Sequence, residues 1–145
     1  MRISQLLCVM AMLLTSLSVQ ARDEALKLPI ADFFQRADVQ ERLGQDVKFY
    51  LAGQKHRAVA QTLGEFQSNK KTSAFKKTDQ QACEWALLSA FLALRDRALQ
   101  LGGNAVVNIT SNYKRQPFSS PDQYMCGAGK IMAGVTMKGE VVKLK

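Results

Sequence analysis

The chain has a single histidine, His56, and three cysteines among 145 residues. One imidazole and so few thiols cannot build a four-ligand zinc site without carboxylates, and no ligand pair has the close spacing such sites use. His56 follows Gly53-Gln54-Lys55 and is expected in an exposed turn or loop. No serine lies in a nucleophile-elbow motif. There is no internal repeat and no low-complexity tract. Beyond the N-terminus, no apolar stretch approaches the roughly 20 residues that a bilayer-spanning helix needs. Acidic residues are also scarce, with 12 Asp and Glu against 20 Lys and Arg and a formal net charge of +8. Such an excess favours anionic partners.

The N-terminus carries a leader pattern. Arg2 supplies a positive charge, Leu6 to Leu17 is apolar and free of acids, and Val19-Gln20-Ala21 gives a small-x-small site before Arg22-Asp23-Glu24. This reads as a secretory signal peptide, residues 1–21, cut after Ala21. The run is too short for a membrane anchor, so no stable span is expected after cleavage. Cys8 lies too early in the leader, without small residues before it, to serve as a lipid-attachment cysteine. Export through a cleaved leader predicts a periplasmic protein. It also shifts the expected anionic partners toward envelope polymers and lipid head groups and away from nucleic acid. The bland alternative is that Lys70, Lys71, Lys76, Lys77, Lys114 and Arg115 only form a solvated face.

Two cysteines remain in the processed chain, Cys83 and Cys126. In an oxidising compartment an even pair is expected to bridge, the alternative being two separate buried thiols. The enclosed loop of about 42 residues corresponds to roughly 4 kcal/mol in the chain-entropy description.

Local signals outline an α+β fold, with one long helix on a mainly antiparallel sheet. Residues 22–46 read as a polar lead and one or two short helices, with Ile30, Phe33, Phe34 and Ala37 on one face and Asp38 able to cap a second turn ending at Gly44. This segment is expected to be a flap on the main domain, residues 47–145. Val47 to Leu51 and Ala58 to Ser68 read as strands, with a bulge at Gly64, and Asn69 to Lys77 as a basic loop. Thr78 and Gln81 fit a capping box. Cys83, Leu87, Ala90, Phe91, Leu94, Ala98 and Leu101 then recur at helical spacing until Gly102-Gly103 stops the helix. Ala105 to Thr110 is the next strand, with Val107, Ile109 and Tyr113 expected on its buried face. Lys114 to Gln123 reads as a polar loop. Tyr124 to Met137 reads as one long strand, Lys138-Gly139 as a turn, and Glu140 to Leu144 as a last strand.

Gly127-Ala128-Gly129-Lys130 resembles a phosphate-cradling loop at first sight. A Walker loop needs Gly, four residues, then Gly-Lys-Ser/Thr, followed by a helix. Here Tyr124 holds the first glycine position, Ile131 replaces the magnesium-binding hydroxyl, and the sequence after it is β-like. No nucleotide, metal or other cofactor is expected. Gly127 and Gly129 are expected instead to let the long helix lie close to the sheet, or to form a bulge that aims Cys126 at Cys83.

For ligand binding, the best candidates are Tyr113, Lys114 and Arg115, beside a long loop containing Pro117 and Pro121, together with the cluster at Lys70 and Lys71. Trp85 is a binding aromatic if exposed, with packing on a helix flank as the other reading. Asp79 and Glu84 suit the helix dipole and show no acid–base pairing. A Cys126–His56 catalytic pair is formally conceivable, but bridging would silence it.

The segments ACEWALLSAFLALRDRALQLGGNAVVNITSNYK, YMCGAGKIMAGVTMKGEVVKL, FYLAGQKH and LGEFQSNKKTSAF resemble small exported Gram-negative proteins catalogued as "excinuclease ATPase subunit". More distantly, helix–LGGNAVV–loop–CxGxxxxxG is similar to the stress-sensing outer-membrane lipoprotein of the Rcs phosphorelay and to small cytoplasmic proteins once proposed to bind heavy metals. The resemblance implies an α+β layer fold and a disulfide-braced sensor domain in which Cys126 matches a bridging cysteine. The chain departs from those patterns in lacking a lipid-anchor cysteine, a four-cysteine set, a histidine-rich tract and every ATPase motif. The expected function is a non-enzymatic periplasmic binding or interaction domain related to envelope stress, whose partner is an envelope protein or anionic envelope polymer. The alternatives are a small periplasmic thiol enzyme or hydrolase, and the nucleic-acid role that the family label implies.

Overall fold

Thr78 closes the start of a long helix as its neighbours dictate. Its Oγ1 accepts a hydrogen bond from Gln81 N at 3.1 Å, and Gln81 Oε1 accepts one from Thr78 N at 3.0 Å. Two backbone donors that the helix itself cannot pair are thereby satisfied. The helix ends at Gly102, which takes φ +76° and donates to the Leu99 carbonyl at 3.2 Å. This left-handed conformation strains any residue with a Cβ.

The computed structural model describes residues 23–145, so the predicted leader lies outside the described residues. In chain order the elements are β1 (Asp23–Pro29), α1 (Ala31–Gln35), α2 (Ala37–Leu43), β2 (Lys48–Leu51), β3 (Val59–Ser73), α3 (Asp79–Leu101), β4 (Ala105–Ser111), a short 3-10 turn (Tyr113–Arg115), β5 (Gln123–Gly129) and β6 (Met132–Leu144). Five strands lie in the order β1-β5-β6-β4-β2, and β3 pairs with β6 to complete a six-stranded sheet. The pairings are antiparallel except for β2 with β4. The architecture is therefore α+β with one long helix on a mostly antiparallel sheet. No helix of the described residues is long and apolar enough to cross a membrane.

The core fills the space between α3 and one sheet face. Cys83, Leu87, Ala90, Phe91, Leu94 and Ala98 are fully buried along the predicted stripe. Leu101 stays exposed where the helix ends. Alanines at 82, 86, 90 and 98, all fully buried, allow the helix backbone close to the strands. Phe91 gathers Phe33, Phe34 and Phe49 within 5.0–6.1 Å between ring centroids. Burying side chains of this size is worth about 1.5–3 kcal/mol each.

Several expectations are corrected. The polar lead is β1, which pairs with β5 from Asp23↔Gly129 to Pro29↔Gln123. Alternation turns Leu26 and Leu28 inward, which is what makes so polar a stretch a strand. The short helices that follow place Ile30, Phe33, Val39 and Leu43 in the main core, so this segment is integral to the layer. Arg36, not Asp38, precedes the second of them, and Gly44 closes it as expected. The strand expected to end at Ser68 continues to Ser73, with a register shift between Thr62 and Gly64 where the bulge was predicted. On β4, Val107 turns away from α3 to join Ala105, Val142 and Leu144, while Val106 and Ile109 face the helix. The cause is a bulge at Asn108, whose φ of +51° breaks simple alternation. The long strand expected over 124–137 is a hairpin, β5 and β6, turning at Lys130 and Ile131, and β6 runs straight through Lys138-Gly139. Gly139 is there because Val106 Cγ1 lies 2.6 Å from where its Cβ would stand.

Candidate functional site

Cys83 and Cys126 are joined by a disulfide, with S–S 2.11 Å and Cα–Cα 5.9 Å. Cys83 projects from the first turns of α3, and Cys126 faces it from β5. Both are fully buried, so the bridge leaves no free thiolate here.

The glycines beside Cys126 act on the other sheet face. Cys126 and Ala128 point into the core, so Gly127 points away from α3. A Cβ on Gly127 would lie 2.0 Å from the Cζ and hydroxyl oxygen of Tyr113. Gly127 thus makes room for the Tyr113 ring and not for the helix. The unbroken β1–β5 register leaves no bulge at Cys126. Gly129 ends β5 opposite Asp23. Gly103 fits the helix stop against β6, since a Cβ there would meet Val141 Cγ1 at 2.8 Å.

Tyr113 is fixed from both sides in sequence. Ser111 exchanges backbone hydrogen bonds with Phe118 at 2.9 and 2.8 Å, and Asn112 N donates to the Thr136 carbonyl at 2.8 Å. Lys114 and Arg115 then adopt left-handed conformations, φ +50° and +60°. Two consecutive strained non-glycine residues mark a place where the surroundings dictate the backbone, as at ligand-binding segments. The Tyr113 hydroxyl donates to Asp23 Oδ1 at 3.1 Å, and the Lys114 ammonium contacts Asp23 Oδ2. The Lys114 hydrogen bond holds the Asp23 carboxyl below the usual carboxylate range, and Asp23 in turn raises Lys114. Burial, reinforced by Asp23, pushes the Tyr113 phenol up.

Around this triad lies a cleft of about 520 Å³, lined by Lys71 of β3, Lys130 and Ile131 of the hairpin turn, Met132 to Gly134 of β6, and the backbone of β5. Lys71, Lys114 and Lys130 line the cleft with a single acid, Asp23. The lining combines three ammonium groups and a phenol with the aliphatic side chains of Ile131 and Met132. Among the described residues, no group of three or more His, Cys, Asp or Glu is placed to hold a metal.

The structure joins Tyr113, Lys114 and Lys71 in this cleft and separates Lys70 from them. Both lysines belong to β3 and not to a loop, opposite Val135 and Gly134. Alternation sends Lys70 to the helix side and Lys71 to the cleft. Arg115 is exposed in the turn after Lys114 and does not line the cleft. His56 is exposed in a loop, as expected, its ring 5.4 Å from that of Tyr50. Trp85, read as packing on the helix flank or as a binding aromatic if exposed, is 52% exposed, with the Arg42 guanidinium 5.8 Å from its ring. It lines a second hollow of about 420 Å³ with Arg36 and Glu84, which form an ion pair.

Sequence reasoning missed Asp23, Lys130, Ile131 and Met132. Asp23 was masked by its place beside the leader. Lys130 and Ile131 were read as strand interior because Gly129-Lys130-Ile131 lacks the Asn-Gly or Asp-Gly pair that announces a hairpin.

Comparison with protein-family models, curated proteins and solved structures found no match.

Proposed function

We propose that the chain is an exported, non-catalytic binding domain whose cleft at Tyr113 holds an anionic partner in the cell envelope. The observation that carries this reading is the grouping of Lys71, Lys114 and Lys130 around the Tyr113–Asp23 pair, on a backbone held in left-handed geometry. Asp23 neutralises one ammonium and orients Lys114 and Tyr113, leaving the cleft with net positive charge. A cationic cleft of this size suits a carboxylate- or phosphate-bearing segment of an envelope polymer. The leader pattern supports the compartment. The resemblance to the Rcs stress sensor supports a sensing role, in which occupancy of the cleft is read by a partner protein. Against a thiol enzyme stands the burial of both processed-chain cysteines in a bridge. Against nucleotide hydrolysis stands Lys130 at the tip of a β-hairpin, with no helix after it.

Site-directed photo-crosslinking tests the proposal. A photoreactive phenylalanine analogue replacing Arg115, exposed in the turn next to Lys114, should yield a specific adduct with envelope material in intact cells. Lys71→Glu should abolish that adduct. Adducts only with random abundant proteins, or adducts insensitive to Lys71, would overturn the reading. So would tight DNA binding with a steep salt dependence.

A further inference from the structure

Three of the most exposed large apolar side chains share one end of the molecule. Phe75 is 70% exposed, Ile131 75% and Met132 46%. They come from two neighbouring turns, the one after β3 and the β5–β6 hairpin. The turns are tied together by Ala74 N donating to the Ile131 carbonyl at 2.7 Å and by the pairing Ser73↔Met132. Nothing in their local sequence requires exposure: Ile131 and Met132 could have been polar at a hairpin tip without loss of core. Lysines ring them. Lys71 and Lys130 stand on the cleft side. Lys76 and Lys77 follow Phe75, with the Lys76 ammonium 5.4 Å from the Phe75 ring and Lys77 Nζ donating to the Ser73 carbonyl at 3.0 Å.

We infer that this end is a membrane-docking tip that seats on an anionic lipid surface. Phe75, Ile131 and Met132 enter the acyl boundary, and Lys71, Lys76, Lys77 and Lys130 meet the head groups. An apolar wedge within a ring of ammonium groups matches the layered chemistry of that surface, apolar below and anionic above. An acidic protein groove would match the lysines but would leave three apolar side chains to pair with polar walls. The lysines alone would give weak, salt-screened adsorption; the wedge adds insertion. The inference rests on the proposed function for the envelope location alone; Lys71, Lys130, Ile131 and Met132 also line the cleft, whereas Phe75, Lys76 and Lys77 do not.

The protein is produced through its own leader and its mass measured, so that a retained leader is recognised. It is then mixed with vesicles of phosphatidylglycerol and phosphatidylethanolamine, or with neutral phosphatidylcholine vesicles. Partition into the anionic vesicles and not the neutral ones is expected. Phe75→Ser with Ile131→Ser should lower partition on the order of tenfold or more, and Lys76→Glu, outside the cleft, on the order of tenfold. These residues are exposed, so the variants are expected to fold; far-ultraviolet circular dichroism checks this. In Trp85→Phe carrying Ile131→Trp, the new indole should blue-shift and be quenched by brominated lipid. Absent partition, partition indifferent to the serine pair, or an indole that stays in water would each overturn the inference. So would self-association that buries Ile131 without lipid. Vesicle binding without any Arg115-site adduct would retain the tip and discard the cleft reading, and the converse outcome would discard the tip.

Discussion

Replacing Gly127 by alanine tests how the cleft is built. The added Cβ would stand 2.0 Å from the Tyr113 Cζ and hydroxyl oxygen. Ordinary carbon contacts lie at about 3.5–4.0 Å, so the ring must lift by roughly 1.5–2 Å. Its anchor cannot follow freely, because Asn112 N is bonded to the Thr136 carbonyl and Ser111 to Phe118. Lifting the ring also breaks the 3.1 Å hydrogen bond to Asp23. Overpacking of this kind costs about 1–3 kcal/mol. For a domain of this size that is a fall of roughly 4–12 °C in Tm. Urea unfolding of four proteins would measure it: wild type, Gly127→Ala, Tyr113→Ala and the double variant. Once the ring is gone, Gly127→Ala should be nearly neutral, giving a coupling of about 1–3 kcal/mol. Equal cost of Gly127→Ala in both backgrounds would refute the idea that Gly127 exists to admit Tyr113.

Other consequences follow from the same geometry. Cys83→Ala with Cys126→Ala should lose about 4 kcal/mol of stability to denatured-chain freedom alone, given the sequence separation of 43; a urea midpoint unchanged by the pair, or by reductant, would contradict the bracing role. Thr78→Ala should cost about 1 kcal/mol through the lost cap, read by thermal unfolding, with Gln81→Ala adding little to it because both belong to one box. Because Lys114 depresses the folded-state pKa of Asp23, the stability from this contact is present above the ordinary aspartate pKa and is lost as pH falls through the lower folded value. Lys114→Met should therefore raise the Asp23 carboxyl titration, followed by NMR, toward the ordinary aspartate range; an unchanged titration would show that the pair does not hold in solution. The contact is exposed, so its effect on global stability should be small.

What could be read from the sequence divides along physical lines. Helix α3 was legible from Thr78 to Gly102, because its caps and apolar stripe are local signals. The bridge was legible from compartment logic and an even pair of cysteines, which needs no knowledge of topology. The β5–β6 hairpin was not, because Lys130-Ile131 carries no turn chemistry and apolar residues continue on both sides of it. Lys138-Gly139 misled in the opposite sense. That glycine answers Val106 and Ile109 pressing from β4, a contact no local window contains. At Asn108 a left-handed residue reverses the strand phase, so Val107 and Ile109 cannot share a face as alternation predicts. The candidate patch was half legible. Tyr113, Lys114 and Lys71 were named, but Lys70 faces the other way, and Asp23, which organises the cleft, joins it from 90 residues away.

The most direct test of the account is equilibrium binding of the bridge-closed protein to soluble, carboxylate-bearing cell-wall polymer fragments at low and high salt, with Lys71→Gln/Lys114→Gln alongside. Binding that weakens with salt and falls about tenfold or more in the double variant is the predicted result. Absence of binding, or binding that ignores both lysines, would contradict it.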